Sequence, residues 1–368
     1  MSELLPITIT SIVLACLSQR FTYKGSLSIG SSKKEKLFFS IMVICLVLFS
    51  GLRTDFNDTK TYLSVYANTS QTQPIKWSLG NNPGYQIVKR FCKQLNISGQ
   101  TYLLLYAVFT LPVFLWFIRK YSPNFRLSIF LFLTTDCFLF TMTAVKQCAA
   151  IAFCLLAIDR YLKRERFRFV LYIILATLFH PYAWMFLIVP FLSFRPWSKK
   201  TFFLLIIFFS AGLALQKLLG TIVDITTMLG EEYSVDSLSG TGVNPFRLAV
   251  TAVPVILSFI TRRVIKEENN TVMNLILNLS MLNTAIMFVG LFGTANYFGR
   301  LANYFLVFQM ISIPWLLSHF EIKSRRLVTS AAIMGYSLFF IYSNAINIHF
   351  DVAHSSISLS QYIRSMIL

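Results

Sequence analysis

The chain has 368 residues, of which 55% are hydrophobic and only 13% are charged. Soluble domains carry roughly 25% charged residues, so this composition excludes an ordinary water-soluble domain. The formal net charge of +18 does not indicate a nucleic-acid partner, because the basic residues stand in short clusters between apolar segments. That arrangement is typical of charges that orient membrane helices.

Continuous apolar segments recur along the whole chain. About 20 apolar residues cross a bilayer as a helix, and the segments lack the alternation of barrel strands. Because backbone in lipid must be hydrogen-bonded internally, we predict an all-α polytopic protein with a single integral membrane domain over 1–368. The predicted helices lie near residues 4–19, 37–52, 101–118, 127–143, 145–160, 168–180, 182–194, 201–219, 246–261, 271–292, 298–318 and 327–346.

About twelve alternating helices place most of the 33 Lys and Arg residues on one side, which is therefore predicted to be cytoplasmic. Both termini then lie outside. The two helices over 168–194 are each too short for a hydrocarbon core of about 30 Å. They meet at His180–Pro181, where proline interrupts helical hydrogen bonding, so we expect a dent in the external surface at this break.

Two long segments are predicted to be external. Within 53–100, the apolar residues around Tyr62 and Tyr85 have spacings that suit two short amphipathic helices at the membrane interface. The turn sequence 82–84 separates them. The second segment, about 220–245, contains acidic residues with Gly and Ser, which favours a flap or rim.

The densest polar cluster directly follows the second helix and contains Arg53, Asp55 and Asp58. A carboxylate near apolar lipid can serve as a base, and an arginine can hold a phosphate. The alternative is a solvated loop in which Asp58 or Thr59 caps the next helix. Because capping would occupy Asp58, Asp55 is the preferred base.

Further polar residues stand where apolar ones are expected. Lys146 and Gln147 lie near the outer end of a helix, where a lysine faces a cavity or snorkels to the interface. His180 lies at the predicted break and is either functional or a hydrogen-bonded core residue. Arg300 and Tyr304, four residues apart, are predicted to share a helix face, where the arginine binds phosphate or anchors the helix end.

The stretch from Arg53 to Tyr62 resembles the external motif of the EpsG family of Wzy-like bacterial polysaccharide polymerases. Four further stretches resemble elements of that family, in the family's order: Asn82–Tyr85, Ala144–Ala150, Leu175–His180 and Gly299–Phe305. Lys146 stands where the family usually has arginine, and a lysine lacks the bidentate geometry of a guanidinium.

The resemblance implies a GT-C-like polymerase that joins undecaprenyl-diphosphate-linked repeat units into O-antigen, capsular or exopolysaccharide chains. It implies a multi-pass protein of the bacterial cytoplasmic membrane with its active face outside. The polymerase reaction is expected to require no cofactor and no metal. Under this hypothesis the residues divide into a catalytic group, Asp55, Asp58 and His180, a diphosphate-binding group, Arg53, Lys146, Gln147 and Arg300, and sugar-facing aromatics, Tyr62, Tyr85 and Tyr304.

The expected partners are the lipid-linked donor and acceptor glycans and membrane lipid, and not nucleic acid. A chain-length regulator and a flippase are expected by family analogy alone. Three alternatives stay open at this point. They are a transporter or flippase for lipid-linked oligosaccharides, a glycosyltransferase that adds a single sugar from a polyprenyl-phosphate donor, and a membrane O-acyltransferase.

Overall fold

Helices dominate the computed structural model of this chain. It describes residues 4–20, 32–72, 74–230, 242–346 and 355–367. The central part of the predicted second external segment, 231–241, lies outside the described residues.

The first half of the chain consists mostly of apolar helices, and two short helices, the third and the fourth, lie between the second helix and the fifth. The elements are α1 (Leu4–Arg20), α2 (Lys33–Gly51), β1 (Arg53–Asp55), α3 (Thr59–Ala67), a 3₁₀ turn (Leu79–Asn81), α4 (Pro83–Gln94), α5 (Gly99–Tyr121), α6 (Phe125–Thr134), α7 (Cys137–Thr143), α8 (Val145–Leu162) and α9 (Arg166–Phe179).

The second half begins with a 3₁₀ helix, Pro181–Leu192, and contains several interrupted helices. The elements that follow are α10 (Lys199–Leu213), α11 (Leu215–Met228), α12 (Pro245–Thr251), α13 (Val253–Ile260), α14 (Arg262–Glu268), α15 (Thr271–Val289), α16 (Ala295–Asn303), α17 (Leu306–Ser318), α18 (Ile322–Ile341), a π-helical turn (Tyr342–Ile346), β2 (Ser355–Ser356) and α19 (Leu359–Ile367).

Several of these helices are suited to a membrane. Among the described residues, three helices are long and apolar enough to cross one: Gly99–Tyr121, Thr271–Val289 and Ile322–Ala345. The number rises to six if each of three bent helix pairs counts as one span. The helical architecture is confirmed, and these spans are consistent with a helical membrane protein.

The described chain folds into two units, each with its own core. Unit 1 comprises Met1–Ile75, Gly84–Ala152 and Gly335–Leu368, and unit 2 comprises Lys76–Pro83 and Phe153–Met334. In unit 1, α2 packs against α1 and α5, and α1 also packs against α6. In unit 2, α15 packs against α10, α16 and α17.

Local sequence explains where several helices begin. The side chains of Ser32, Ser98, Asn124 and Asn270 each accept a hydrogen bond from a backbone N–H in the first turn of α2, α5, α6 and α15, respectively. Such caps contribute about 1 kcal/mol each, because they satisfy donors that the helix leaves unpaired.

The two predicted helices of the first external segment are present as α3 and α4. The turn between them is confirmed as well: Asn82 has a left-handed backbone, with φ of 51°, and Pro83 is the first residue of α4. Proline suits that position, since its missing N–H would have no helical partner there.

The predicted break at His180–Pro181 is confirmed, because α9 ends at Phe179 and His180 has an extended backbone. A residue before proline avoids helical angles. The following segment differs from an ordinary α-helix, since Pro181–Leu192 is a 3₁₀ helix. The predicted loop from about 220 was placed too early, because α11 continues to Met228.

Candidate active site

The polar segment after α2 is held by a two-stranded antiparallel sheet. Strand β1, Arg53–Asp55, pairs with β2, Ser355–Ser356, near the carboxyl-terminal end of the chain. The backbone N–H of Ile357 donates to the Leu52 carbonyl oxygen at 3.0 Å. The short strand therefore depends on a partner that is remote in sequence.

Arg53 points into unit 1 and is only 1% exposed. Its Nε donates to the Thr59 hydroxyl at 2.9 Å, and Nη2 donates to the Met142 carbonyl oxygen at 2.8 Å. Nη1 donates to the carbonyl oxygen of Ser50. Burial lowers the pKa of the Arg53 guanidinium to about 10, so the side chain stays cationic at neutral pH.

These bonds give Arg53 a role that was not expected. Its donors are directed at protein acceptors, so in this structure Arg53 joins the ends of α2 and α7 to the first turn of α3. A guanidinium can do this because its donors form a planar fork. Diphosphate binding by Arg53 stays a prediction, and it would require this enclosed arrangement to open.

The two aspartates of the segment are both partly exposed. Asp55 forms an ion pair with Lys60, in which Oδ2 lies 2.5 Å from Nζ. Asp58 occupies the N-cap position of α3, but its side chain makes no capping hydrogen bond. The capping alternative for the Asp58 side chain is therefore wrong, and with it the reason for preferring Asp55 as the base.

Tyr62 and Tyr85 join α3 to α4. Their ring centroids lie 6.5 Å apart in an edge-on arrangement. The Lys146 ammonium lies 5.6 Å from the Tyr85 ring centroid, and the neighbouring Gln147 is buried. Unit 1 thus brings together Tyr62, Tyr85 and Lys146, which sequence analysis had assigned to substrate binding.

His180 and Tyr304 meet in unit 2. The Tyr304 hydroxyl lies 2.8 Å from His180 Nδ1, and either group can donate, depending on the histidine tautomer. Tyr304 is completely buried and lies in the break between α16 and α17, whose described parts are bent by 54°. Asn283 stabilises this break, since its side-chain amide donates to the Ala302 carbonyl oxygen at 2.6 Å.

Arg300 is exposed on α16, one turn before that break. The prediction that Arg300 and Tyr304 share one helix face is wrong, because α16 ends at Asn303. A second cation lies at this helix: Arg247 Nη2 is 3.5 Å from the Asn303 side-chain oxygen. Unit 2 thus has two arginines at α16, the helix that directly precedes the buried Tyr304.

Comparison with known proteins decides the family. Residues 36–362, nearly the whole chain, match the family model for the EpsG family. The chain belongs to the EpsG family. The match confirms the resemblance noted from the five short stretches. EpsG is a polysaccharide polymerase family. No curated protein and no solved structure matches the chain.

Four residues of this EpsG-family protein that were not predicted from the sequence lie at the candidate sites. Gln100 donates to the Gly51 and Arg53 carbonyl oxygens and so supports the polar segment from α5. Lys89 lies over the Tyr85 ring. Its spacing of four residues from Tyr85 is a sequence signal, since such residues share a helix face. Arg247 and Asn283 carry no comparable signal, because only packing brings them to α16 and its break.

The candidate residues of this EpsG-family protein can supply three chemical functions. Asp55 and Asp58 are acceptors for a proton. Lys146 and Arg300 can stabilise negative charge that develops on a phosphate. The His180–Tyr304 pair can donate or accept a hydrogen bond, depending on its tautomer.

Proposed function

We propose that this protein joins undecaprenyl-diphosphate-linked oligosaccharide repeats into a longer polysaccharide at the external face of the bacterial cytoplasmic membrane. The observation that carries the proposal is the packing of the Arg53–Tyr62 segment. The buried Arg53 holds the segment, while both of its carboxylates stay accessible. Membership of a polysaccharide polymerase family supports the same conclusion.

The reaction requires a base at the acceptor sugar. A hydroxyl of the acceptor repeat loses its proton to a carboxylate as its oxygen attacks the anomeric carbon of the donor glycan. We assign this role to Asp58, because its side chain is not used to cap α3. Asp55 is already engaged by Lys60. A positioned general base contributes a rate factor of roughly 10²–10⁴.

The leaving group also needs stabilisation. As the new glycosidic bond forms, the bond from the anomeric carbon to the diphosphate oxygen breaks, and its electron pair stays with undecaprenyl diphosphate. Lys146 is the proposed cation for this charge, since fixed cations act where charge develops. Arg300 stays a predicted phosphate ligand. The diphosphate already activates the donor, so neither nucleotide nor metal is required.

His180 and Tyr304 are proposed to bind a sugar hydroxyl or phosphate oxygen in concert. Their mutual hydrogen bond fixes the orientation of the imidazole. The predicted twelve-pass, GT-C-like arrangement belongs to the same proposal. The interrupted helices around α6–α7 and α16–α17 support it, since each bent pair can form one pass.

The test uses the purified full-length protein in detergent with lipid-linked repeats. We expect the wild type to produce longer lipid-linked glycans without a membrane gradient and Asp58→Asn to lose at least about 10²-fold in rate. Asp224→Asn is the matched control, because Asp224 lies on α11, outside the polar segment. Unchanged elongation by Asp58→Asn would overturn the assigned base.

A second outcome addresses the whole proposal. A wild-type protein that fails to elongate the glycan, yet moves the same lipid-linked repeat across a liposome membrane, would identify a transporter instead.

A further inference from the structure

Two lysines from different helices converge on one aromatic ring in unit 1. The Lys89 ammonium on α4 lies 5.8 Å from the centroid of Tyr85, and the Lys146 ammonium on α8 lies 5.6 Å from it. Both distances are within the range of a cation–π interaction. Two positive charges are thus held beside the same side chain.

The Tyr85 ring forms a platform for these charges. It is only 6% exposed, and its edge and faces are packed by Tyr62, Tyr102 and Tyr106, with centroids 5.9–6.5 Å away. A ring so enclosed offers little surface to a sugar. Its observed contacts instead hold the two ammonium groups in place.

The convergence carries an electrostatic cost. Burial, and secondarily the charge of Lys146, lower the pKa of the Lys89 ammonium. The two ammonium groups repel each other, whereas each is attracted to an anion that is bound against both. The cost is therefore recovered when a ligand with two adjacent negative groups binds.

Lys93, one turn further along α4, serves as a comparison for Lys89, because its contacts have a purely structural role. Its ammonium lies 4.5 Å from the Tyr66 centroid and donates a hydrogen bond to the Ala67 carbonyl oxygen at 3.2 Å. Lys93 thus connects α4 to the end of α3. Lys89 shares the helix and the aromatic contact, but its neighbour is a second cation.

We propose that Lys89 and Lys146 together bind the diphosphate of the lipid-linked glycan, with Tyr85 holding both ammonium groups in position. The inference rests on the proposed function and adds Lys89 as a ligand. A diphosphate fits because each phosphate can receive one ammonium, and lysine binds phosphate as a point charge rather than as a bidentate fork. Lys146 stands where the family usually has an arginine, which could bind a phosphate with two donors. Lys89 supplies the second donor group in this chain.

The test measures binding of undecaprenyl diphosphate to the purified full-length protein in a neutral detergent. Lys89→Ala and Lys146→Ala are each expected to raise the Kd by about tenfold or more, as expected for the loss of a hydrogen bond to a charged group. Lys89→Arg should restore most of the affinity. Lys93→Ala is the matched control and should leave the Kd within about twofold of wild type.

Two results would overturn the inference. One is a Kd for Lys89→Ala equal to that of Lys93→Ala. The other is equal competition by phosphatidylglycerol micelles, which would assign the lysine pair to an anionic lipid headgroup. Lys89→Gln provides a second variant if Lys89→Ala does not fold, since it keeps most of the aliphatic stem.

The binding readout separates this inference from the proposed function. If the wild type binds undecaprenyl diphosphate through the two lysines but never elongates a glycan, the lysine site stands and the polymerase assignment fails. If the wild type elongates glycans and Lys89→Ala binds normally, the polymerase assignment stands and the lysine site fails.

Discussion

The Arg53–Tyr62 segment and the His180–Tyr304 pair assemble polar groups in opposite ways. The segment is contiguous in sequence, and two of the three hydrogen-bond partners of Arg53, Ser50 and Thr59, lie within six residues of it. Lys60, the partner of Asp55, is equally near in sequence. The pair joins residues 124 positions apart, at the ends of two interrupted helices. A contiguous motif can therefore be recognised from the sequence, whereas a pair of residues distant in sequence is brought together only by packing.

The two regions also differ in which groups they bury. The segment encloses its arginine and leaves its aspartates accessible, whereas unit 2 encloses a tyrosine against a histidine and leaves Arg300 exposed. A buried charge needs several hydrogen-bond partners, and Arg53 has them. A hydroxyl and an imidazole can satisfy each other with one bond.

The largest expected effect is on the stability of the segment. Arg53→Ala should lower the free energy of unfolding by on the order of 3 kcal/mol, because buried acceptors on three residues lose their donor. Thermal unfolding in detergent measures this. Arg53→Lys should not rescue, since one ammonium cannot reproduce the fork. Arg90→Ala on α4 is the control, and an unfolding temperature for Arg53→Ala equal to that control would contradict the assigned role.

The next effect concerns the pair. Tyr304→Phe should lower the elongation rate by about tenfold, because His180 loses the bond that orients its ring. Ser312→Ala is the comparison variant, since it removes a buried 2.9 Å hydroxyl bond to Ser280 elsewhere in unit 2. Equal rates for the two variants would show that the pair is structural only.

A smaller effect is expected at the sheet that holds the segment. Ile357→Pro removes the N–H that donates to Leu52 and should cost about 1 kcal/mol of stability, with a reduced elongation rate. Ile357→Ala keeps the N–H and isolates the effect of the side chain. If both variants elongate glycans equally well, the carboxyl-terminal strand is dispensable for positioning the segment.

The smallest effect is expected at the exposed ion pair. Lys60→Ala should change stability by less than about 1 kcal/mol, because Lys60 is 73% exposed and solvent screens its contact with Asp55. Elongation by this variant should fall less than with Asp58→Asn. A loss as large as that of Asp58→Asn would reassign the base to Asp55, which then depends on Lys60.

Much of the helical pattern was predictable, and the corrections have physical causes. The break at His180–Pro181 follows from the stereochemistry of proline, and the turn at Asn82 follows from turn-forming residues. The direction of Arg53 could not be foreseen, because its partner Met142 lies 89 residues away. The proximity of Lys89 to Lys146 depends in the same way on how α4 packs near α8.

The sequence by itself determined that this chain is a helical membrane protein of the EpsG family, because long apolar segments and short contiguous motifs are local properties. Only the tertiary structure decided which polar groups are enclosed and which are presented. In the folded chain Arg53 points inward, and the Asp58 side chain does not cap α3. Tyr304 lies beside His180, and two lysines lie beside Tyr85. Those outcomes depend on hydrogen-bond partners and packing surfaces that distant parts of the chain supply.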